Sequence, residues 1–187
     1  VAVDVGGATT DGYSMSLGAP DRVNTVIKGL PEPYAKRTVE GDIGMRYSAM
    51  GIVEAVGIST IARISGLDYE RVEELMELIT SKTYTLPDTD EIAKLDYALA
   101  SMAVKVGMTR HAGFIEKVYT PVGETFLQTG KDLTKVKKVI ITGGSLIHAD
   151  NVKEIATHVL YDLAEPMSLK PQDAEILVDK RYLLSPM

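Results

Sequence analysis

The first eleven residues, Val1-Ala2-Val3-Asp4-Val5-Gly6-Gly7-Ala8-Thr9-Thr10-Asp11, hold the densest set of groups able to do chemistry. A β-branched run leads into small residues, so Asp4 stands where a buried strand runs out and Gly6-Gly7 open a tight turn. Without a Cβ, such a turn brings backbone N–H groups close against a ligand. Amides and the hydroxyls of Thr9 and Thr10 suit phosphate oxygens. An acid at the strand end suits Mg2+, usually through water. Asp11 closes the turn ahead of a second strand over residues 12–17. The stretch reads as half of a nucleotide site. The plainer alternative is a hairpin whose glycines satisfy only turn geometry. It is neither a dinucleotide fingerprint nor a Walker loop, because both the G-x-G-x-x-G spacing and the Gly-Lys-Ser/Thr are missing.

A second turn of small residues, Gly143-Gly144-Ser145, follows the apolar run at 138–142, which reads as a short buried strand. Asp150 and Asn151 can cap a helix with Val152, Ile155, Ala156, Val159, Leu160 and Leu163 on one face. Residues 176–178 form a closing strand, extendable toward Leu184. Strand, turn, helix and strand make an α/β crossover, and ligands in such folds bind beyond the C-terminal ends of the strands.

Between the two turns lie the elements that must position them. Residues 23–30 alternate well enough for a third strand, and Val39 closes another extended piece. Asp42 can cap a helix carrying Met45, Ala49, Val53 and Val56. Glu40 and Asp42 either face a metal or attacking water, or merely serve a helix start. Residues 58–82 turn helical, with Val72, Leu75, Met76 and Ile79 forming one apolar stripe and Glu70, Glu73, Glu74 and Glu77 a wet face. A second helix covers about 90–106, with Asp88 and Glu91 at capping-box spacing and Gly107 loosening or ending it. After Val118-Tyr119-Thr120-Pro121 the chain reads as rich in turns through Gly130-Lys131-Asp132-Leu133.

Composition narrows the function. The 187 residues carry a formal net charge of −6, which speaks against nucleic acid or an anionic membrane surface as partner. No apolar run approaches the ~20 residues of a spanning helix. There is no Cys, so disulfides, iron–sulfur ligation and cysteine nucleophiles are excluded, and a reducing, cytoplasmic setting is expected. His111, His148 and His158 lack tight metal spacing, and no Gly-x-Ser-x-Gly elbow is present. A start in mid-strand at Val1 suggests a piece of a longer protein.

Residues 4–11 resemble the second phosphate motif of the actin-like ATPase superfamily, and Val139-Ile140-Ile141-Thr142-Gly143-Gly144-Ser145 resembles the adenosine motif that follows it there. Ala8 stands where many members have a third Gly. A narrower likeness lies in residues 3–11, in Arg-Thr-Val-Glu-Gly-Asp-Ile-Gly-Met-Arg at 37–46, in Arg-His-Ala-Gly at 110–113 and in Gly-Lys-Asp-Leu-Thr at 130–134. These are similar to the family called MutL that is associated with glutamate mutase, unrelated to the mismatch-repair protein of the same name.

The resemblance implies an α/β, ribonuclease-H-like fold: a mixed sheet flanked by helices, with a helical insertion at about 58–107. Residues 1–187 would then form the second, C-terminal ATPase domain, partnered by an N-terminal half of the same protein. It implies ATP and Mg2+ as cofactors, with Gly6, Gly7, Thr9 and Thr10 on the β- and γ-phosphates and Asp4 near the metal. Asp11 would support the turn. Gly143, Gly144 and Ser145 would flank the adenosine, with Glu40, Gly41 and Asp42 near the cleft. The implied activity is ATP-dependent reactivation of an adenosylcobalamin-dependent mutase, the fragment alone being nearly inactive. Alternatives are a hydantoinase- or oxoprolinase-like ATPase, half of a small-molecule kinase, or a non-catalytic scaffold of the same fold.

Overall fold

A computed structural model describes residues 1–121 and 123–184. Four strands come first: β1 (Ala2–Val5), β2 (Thr10–Met15), β3 (Thr25–Ile27) and β4 (Ala35–Glu40). Helices α1 (Ala49–Val56), α2 (Ile58–Ser65), α3 (Tyr69–Ser81) and α4 (Asp90–His111) follow. Then come β5 (Phe114–Thr120), β6 (Gly123–Thr129), β7 (Lys138–Thr142), α5 (Gly144–Ile147), α6 (Val152–Thr157) and β8 (Glu175–Val178).

The main sheet has the order β4-β2-β1-β7-β8. β2 runs antiparallel to both β1 and β4, whereas β1, β7 and β8 are mutually parallel, so β2 alone opposes the rest. The carboxyl ends of β4, β1 and β7 therefore share one end of the sheet. Val3 and Val5 alternate inward from β1 and are fully buried with Val139 and Ile141 of β7. Helix α4 packs against β1 and β2, and α1 and α2 pack in turn on α4. The expected stripe of α3, Val72, Leu75, Met76 and Ile79, is wholly buried.

Several expectations are corrected. Helix α4 does not end at Gly107 but continues to His111. A Cβ at residue 107 would lie 2.8 Å from Thr10 Cγ2, so the glycine lets the helix press onto β2. The N-cap of α4 is Thr89 rather than Asp88, its side chain accepting from the Ile92 N–H at 3.3 Å. Helix α1 begins behind Ser48, so Asp42 caps nothing and Met45 is buried ahead of the helix. Helix α6 stops at Thr157, which leaves Leu163 87% exposed. β8 ends at Val178, and no strand extends it to Leu184.

The stretch expected to be rich in turns instead carries β6, which forms an antiparallel hairpin with β5, and β3 adds in parallel to make a second, three-stranded sheet. Where this sheet meets the main one, Gln128 and Lys131 are buried. Gln128 Nε2 donates to the carbonyls of Gly18 and Gly130 at 2.8 and 2.9 Å. Lys131 Nζ donates to the Tyr34 carbonyl at 2.8 Å and to Ser14 Oγ at 3.3 Å. Loss of hydration holds the Lys131 ammonium below its ordinary range.

Candidate functional site

The two small-residue turns, far apart in sequence, leave neighbouring parallel strands side by side. In the β1–β7 ladder Asp4 is the partner of Thr142, so Gly6-Gly7 and Gly143-Gly144 emerge together. Their contact is closest at Gly143, whose φ is 110°. A Cβ there would meet the Val5 carbonyl oxygen at 2.3 Å, the Val5 nitrogen at 2.6 Å and Asp4 Oδ1 at 2.8 Å. Only glycine allows the second turn to lie against the end of β1. Gly144 is exposed, Ser145 is half-buried, and the Gly143 carbonyl accepts from Leu146 and Ile147 as α5 begins.

The first turn is held from one side. Gly6 N–H donates to the Thr9 carbonyl at 2.9 Å and closes it. The Gly6 carbonyl accepts from Met45 N–H at 3.0 Å, and the Gly7 carbonyl accepts from Arg46 and Tyr47 N–H at 2.8 and 2.9 Å. Gly44 packs hard against Ala8, for a Cβ on Gly44 would come within 2.4 Å of the Ala8 carbonyl carbon. In a trans peptide the C=O and N–H point to opposite sides. Carbonyls tied to residues 45–47 therefore turn the N–H groups of Gly7 and Ala8 away from that loop. Among the described residues no backbone bond uses either N–H. Two successive outward amides are the geometry that receives an anion. Nothing lies within 4 Å of the Cβ position at Gly7 and Ala8 is exposed, so the turn is not covered there by other parts of the described chain.

Thr9 Oγ1 donates to Asp11 Oδ2 at 3.0 Å, and Asp11 Oδ1 accepts from Arg37 Nε at 3.2 Å and Nη2 at 2.9 Å. Asp11 and Asp4 are ladder partners and share a sheet face, where like charges oppose each other. The Arg37 guanidinium offsets the Asp11 side of that pair and is itself held above its ordinary range, mainly by Asp11. Tyr13 stands beside them, with Arg37 Cζ 5.4 Å from its ring centre, and burial followed by the Asp11 charge pushes its phenol up.

Not every expected residue reaches the turn. Thr10 belongs to β2, not to the turn, and its buried side chain sets its methyl under α4 at Gly107, so the structure sets it apart from Thr9. Glu40 and Asp42 are brought together by Arg110, whose Nη1 donates to Glu40 Oε2 at 2.8 Å and to Asp42 Oδ1 and Oδ2 at 2.8 and 2.9 Å. The Arg110 bond holds Asp42 below the usual carboxylate range, and the pair of acids raises Arg110. The Gly41 carbonyl accepts from Ser48 Oγ at 2.9 Å. Among the described residues no group of three or more His, Asp or Glu is placed to hold a metal ion.

Sequence reasoning missed three arginines as parts of this end of the sheet: Arg37, Arg46 and Arg110. Arg37 was findable, because in a β1-β2-β4 meander it falls diagonal to Asp11, within reach of a long side chain. The partners of the other two lie too far along the chain to be read locally.

The family model described as MutL protein matches residues 1–187. Protein MutL of Clostridium tetanomorphum is 44% identical over 187 residues, which is 100% of this chain and 40% of that protein. The chain thus spans about two fifths of the length of the curated relative it matches. No solved structure matches.

Proposed function

The chain belongs to the MutL family associated with glutamate mutase, and from that premise we propose that it is the C-terminal, nucleotide-binding half of an ATP-dependent reactivating chaperone. Its client is an adenosylcobalamin-dependent amino-acid mutase in the cytoplasm, from which it releases damaged cobalamin as ATP is hydrolysed. The observation that carries this reading is the adjacency of the two turns on parallel neighbours, with Gly143 against Asp4. The mixed sheet, with β2 alone reversed and helices packed on it, supports an actin-like, ribonuclease-H-like fold.

In this reading the N–H groups of Gly7 and Ala8 bind phosphate oxygens, and Gly6 gives the turn its closure. Asp11 holds Thr9 in place and is balanced by Arg37. Gly143, Gly144 and Ser145 flank the adenosine. Glu40 and Asp42, fixed by Arg110, and Gly41, bonded by Ser48, border the cleft toward the N-terminal half. A carboxylate beside an anion-binding turn fits Mg2+, which prefers one or two carboxylates, water and substrate phosphates to an all-protein cage. Asp4 would hold it, and the ion would supply charge neutralisation on the phosphates. The chain's own contribution is positioning and exclusion of misaligned groups, the main demands of phosphoryl transfer to water. The front half completes the clamp, so this half alone binds ATP weakly.

The test is ATP hydrolysis by the full-length protein with and without an inactivated cobalamin-dependent mutase, following cobalamin release. ATP-dependent release with recovered mutase activity supports the reading. Hydrolysis without release points to a kinase or a hydantoinase-like enzyme, and no hydrolysis to a scaffold.

A further inference from the structure

Arg46 joins the amide-presenting turn to the helices. Its N–H is one of the two donors on the Gly7 carbonyl. Its side chain, only 12% exposed, uses every guanidinium donor at once. Nη1 donates to the Met45 carbonyl at 2.7 Å and Asp96 Oδ1 at 2.8 Å. Nη2 donates to Asp96 Oδ2 at 2.7 Å and the Thr85 carbonyl at 3.0 Å, and Nε donates to the same carbonyl at 3.1 Å. Asp96 is 17% exposed on α4, and Thr85 lies in the connection between α3 and α4. One residue thus ties the Gly6–Ala8 turn, α4 and the 82–89 connection together, with no slack in its bonds.

We propose that Arg46 is a positioning residue that couples the turn to the 82–89 connection, so that an anion bound at the Gly7 and Ala8 amides is felt at the helices. This rests on the reading of the turn as a phosphate site. An anion accepting from Ala8 N–H polarises the peptide whose carbonyl is Gly7, and this strengthens the bond from Arg46 N–H on its other side. The stiffened backbone at Arg46 carries its guanidinium, and with it the Thr85 carbonyl. Lysine cannot reproduce the joint, because an ammonium has three donors and no planar fork.

Hydrogen exchange of the full-length protein, with and without a magnesium-bound, non-hydrolysable ATP analogue, tests this. In the unaltered protein the analogue slows exchange at residues 5–10 and also at 82–89, the latter by about fivefold or more, the range of ordinary site coupling. In Arg46→Lys, slowing at 5–10 persists while that at 82–89 falls below about twofold. Asp96→Asn, which keeps the shape and loses the charge, shifts 82–89 the same way and guards against a folding defect in the first variant. Undiminished protection of 82–89 in both variants overturns the coupling, as does its absence in the unaltered protein when 5–10 is protected. No protection at 5–10 in the unaltered protein overturns the phosphate reading itself.

Discussion

Gly143→Ala should damage the junction of the two turns far more than its size suggests. The backbone at Gly143 has φ 110° and ψ 138°, a region reserved for glycine, and forcing alanine into it costs about 1–3 kcal/mol. The new methyl would also sit 2.3 Å from the Val5 carbonyl oxygen and 2.6 Å from its nitrogen. Backbone cannot swing aside as a side chain can, so overpacking adds about 1–3 kcal/mol. The sum, about 2–6 kcal/mol, is a large share of the roughly 5–15 kcal/mol that holds a native protein together. At about 2–4 °C per kcal/mol for a chain of this size, a loss near 4 kcal/mol lowers the melting midpoint by about 8–16 °C. Urea denaturation followed by circular dichroism measures it. Gly144→Ala is the control: nothing lies within 4 Å of its Cβ position, and the change is expected to be neutral or to stabilise by up to ~1 kcal/mol. A Gly143→Ala protein within about 0.5 kcal/mol of the unaltered one, or two variants equally harmed, would refute the argument.

Other outcomes follow from the same structure. Asp4→Ala in the full-length protein lowers ATP hydrolysis on the order of 100-fold or more, the usual loss on removing one preorganised charge-stabilising group, and steady-state phosphate release measures it. Burial first, then the Lys36 and Lys131 charges, depress His111 from 6.5 to about 4. The unfolded chain therefore takes up a proton that the native state refuses, and this contribution to stability is full above about pH 6.5 and lost as pH falls toward 4. From pH 7 to pH 5 the loss is about 2 kcal/mol. NMR of the imidazole should find His111 neutral at pH 5, and a midpoint at the ordinary value would contradict its environment. Thr89→Ala removes the side-chain acceptor for Ile92 N–H at the start of α4 and costs about 1 kcal/mol in thermal or urea unfolding.

What the sequence made legible was local. The apolar run at 138–142 was found because a strand between two others buries nearly all of its residues, and the stripe on α3 because one buried helix face shows its period in the residues. The hairpin of β5 and β6 escaped because both of its faces are partly exposed, and Phe-Ile-Glu-Lys-Val-Tyr-Thr carries no clean alternation. β3 pairs in parallel with β6, Thr25 opposite Phe126, and a partner that distant leaves no mark on either segment. Gly107 read as a helix end because its reason for being glycine lies on another element, at Thr10. At the site, the turn residues and both small-residue pairs were visible from composition. The tethering of the Gly6 and Gly7 carbonyls by residues 45–47 was not, since backbone amides carry no sequence identity.

The parallel pairing of β1 with β7 also sets when the site can exist. Val1 and Lys138, at the head of that ladder, are 137 positions apart, and every helix from α1 to α4 lies between them. Ribosomes add about 5–20 residues per second, so the two strands emerge some 7–27 s apart. Through that interval β1 can zip to β2, and β2 in turn to β4, while the other edge of β1 waits unpaired. Closing so long a loop is slow, and it becomes favourable only after the intervening helices have shortened the gap. A nascent chain can therefore carry a finished first turn, yet has no second turn to set against it until β7 docks.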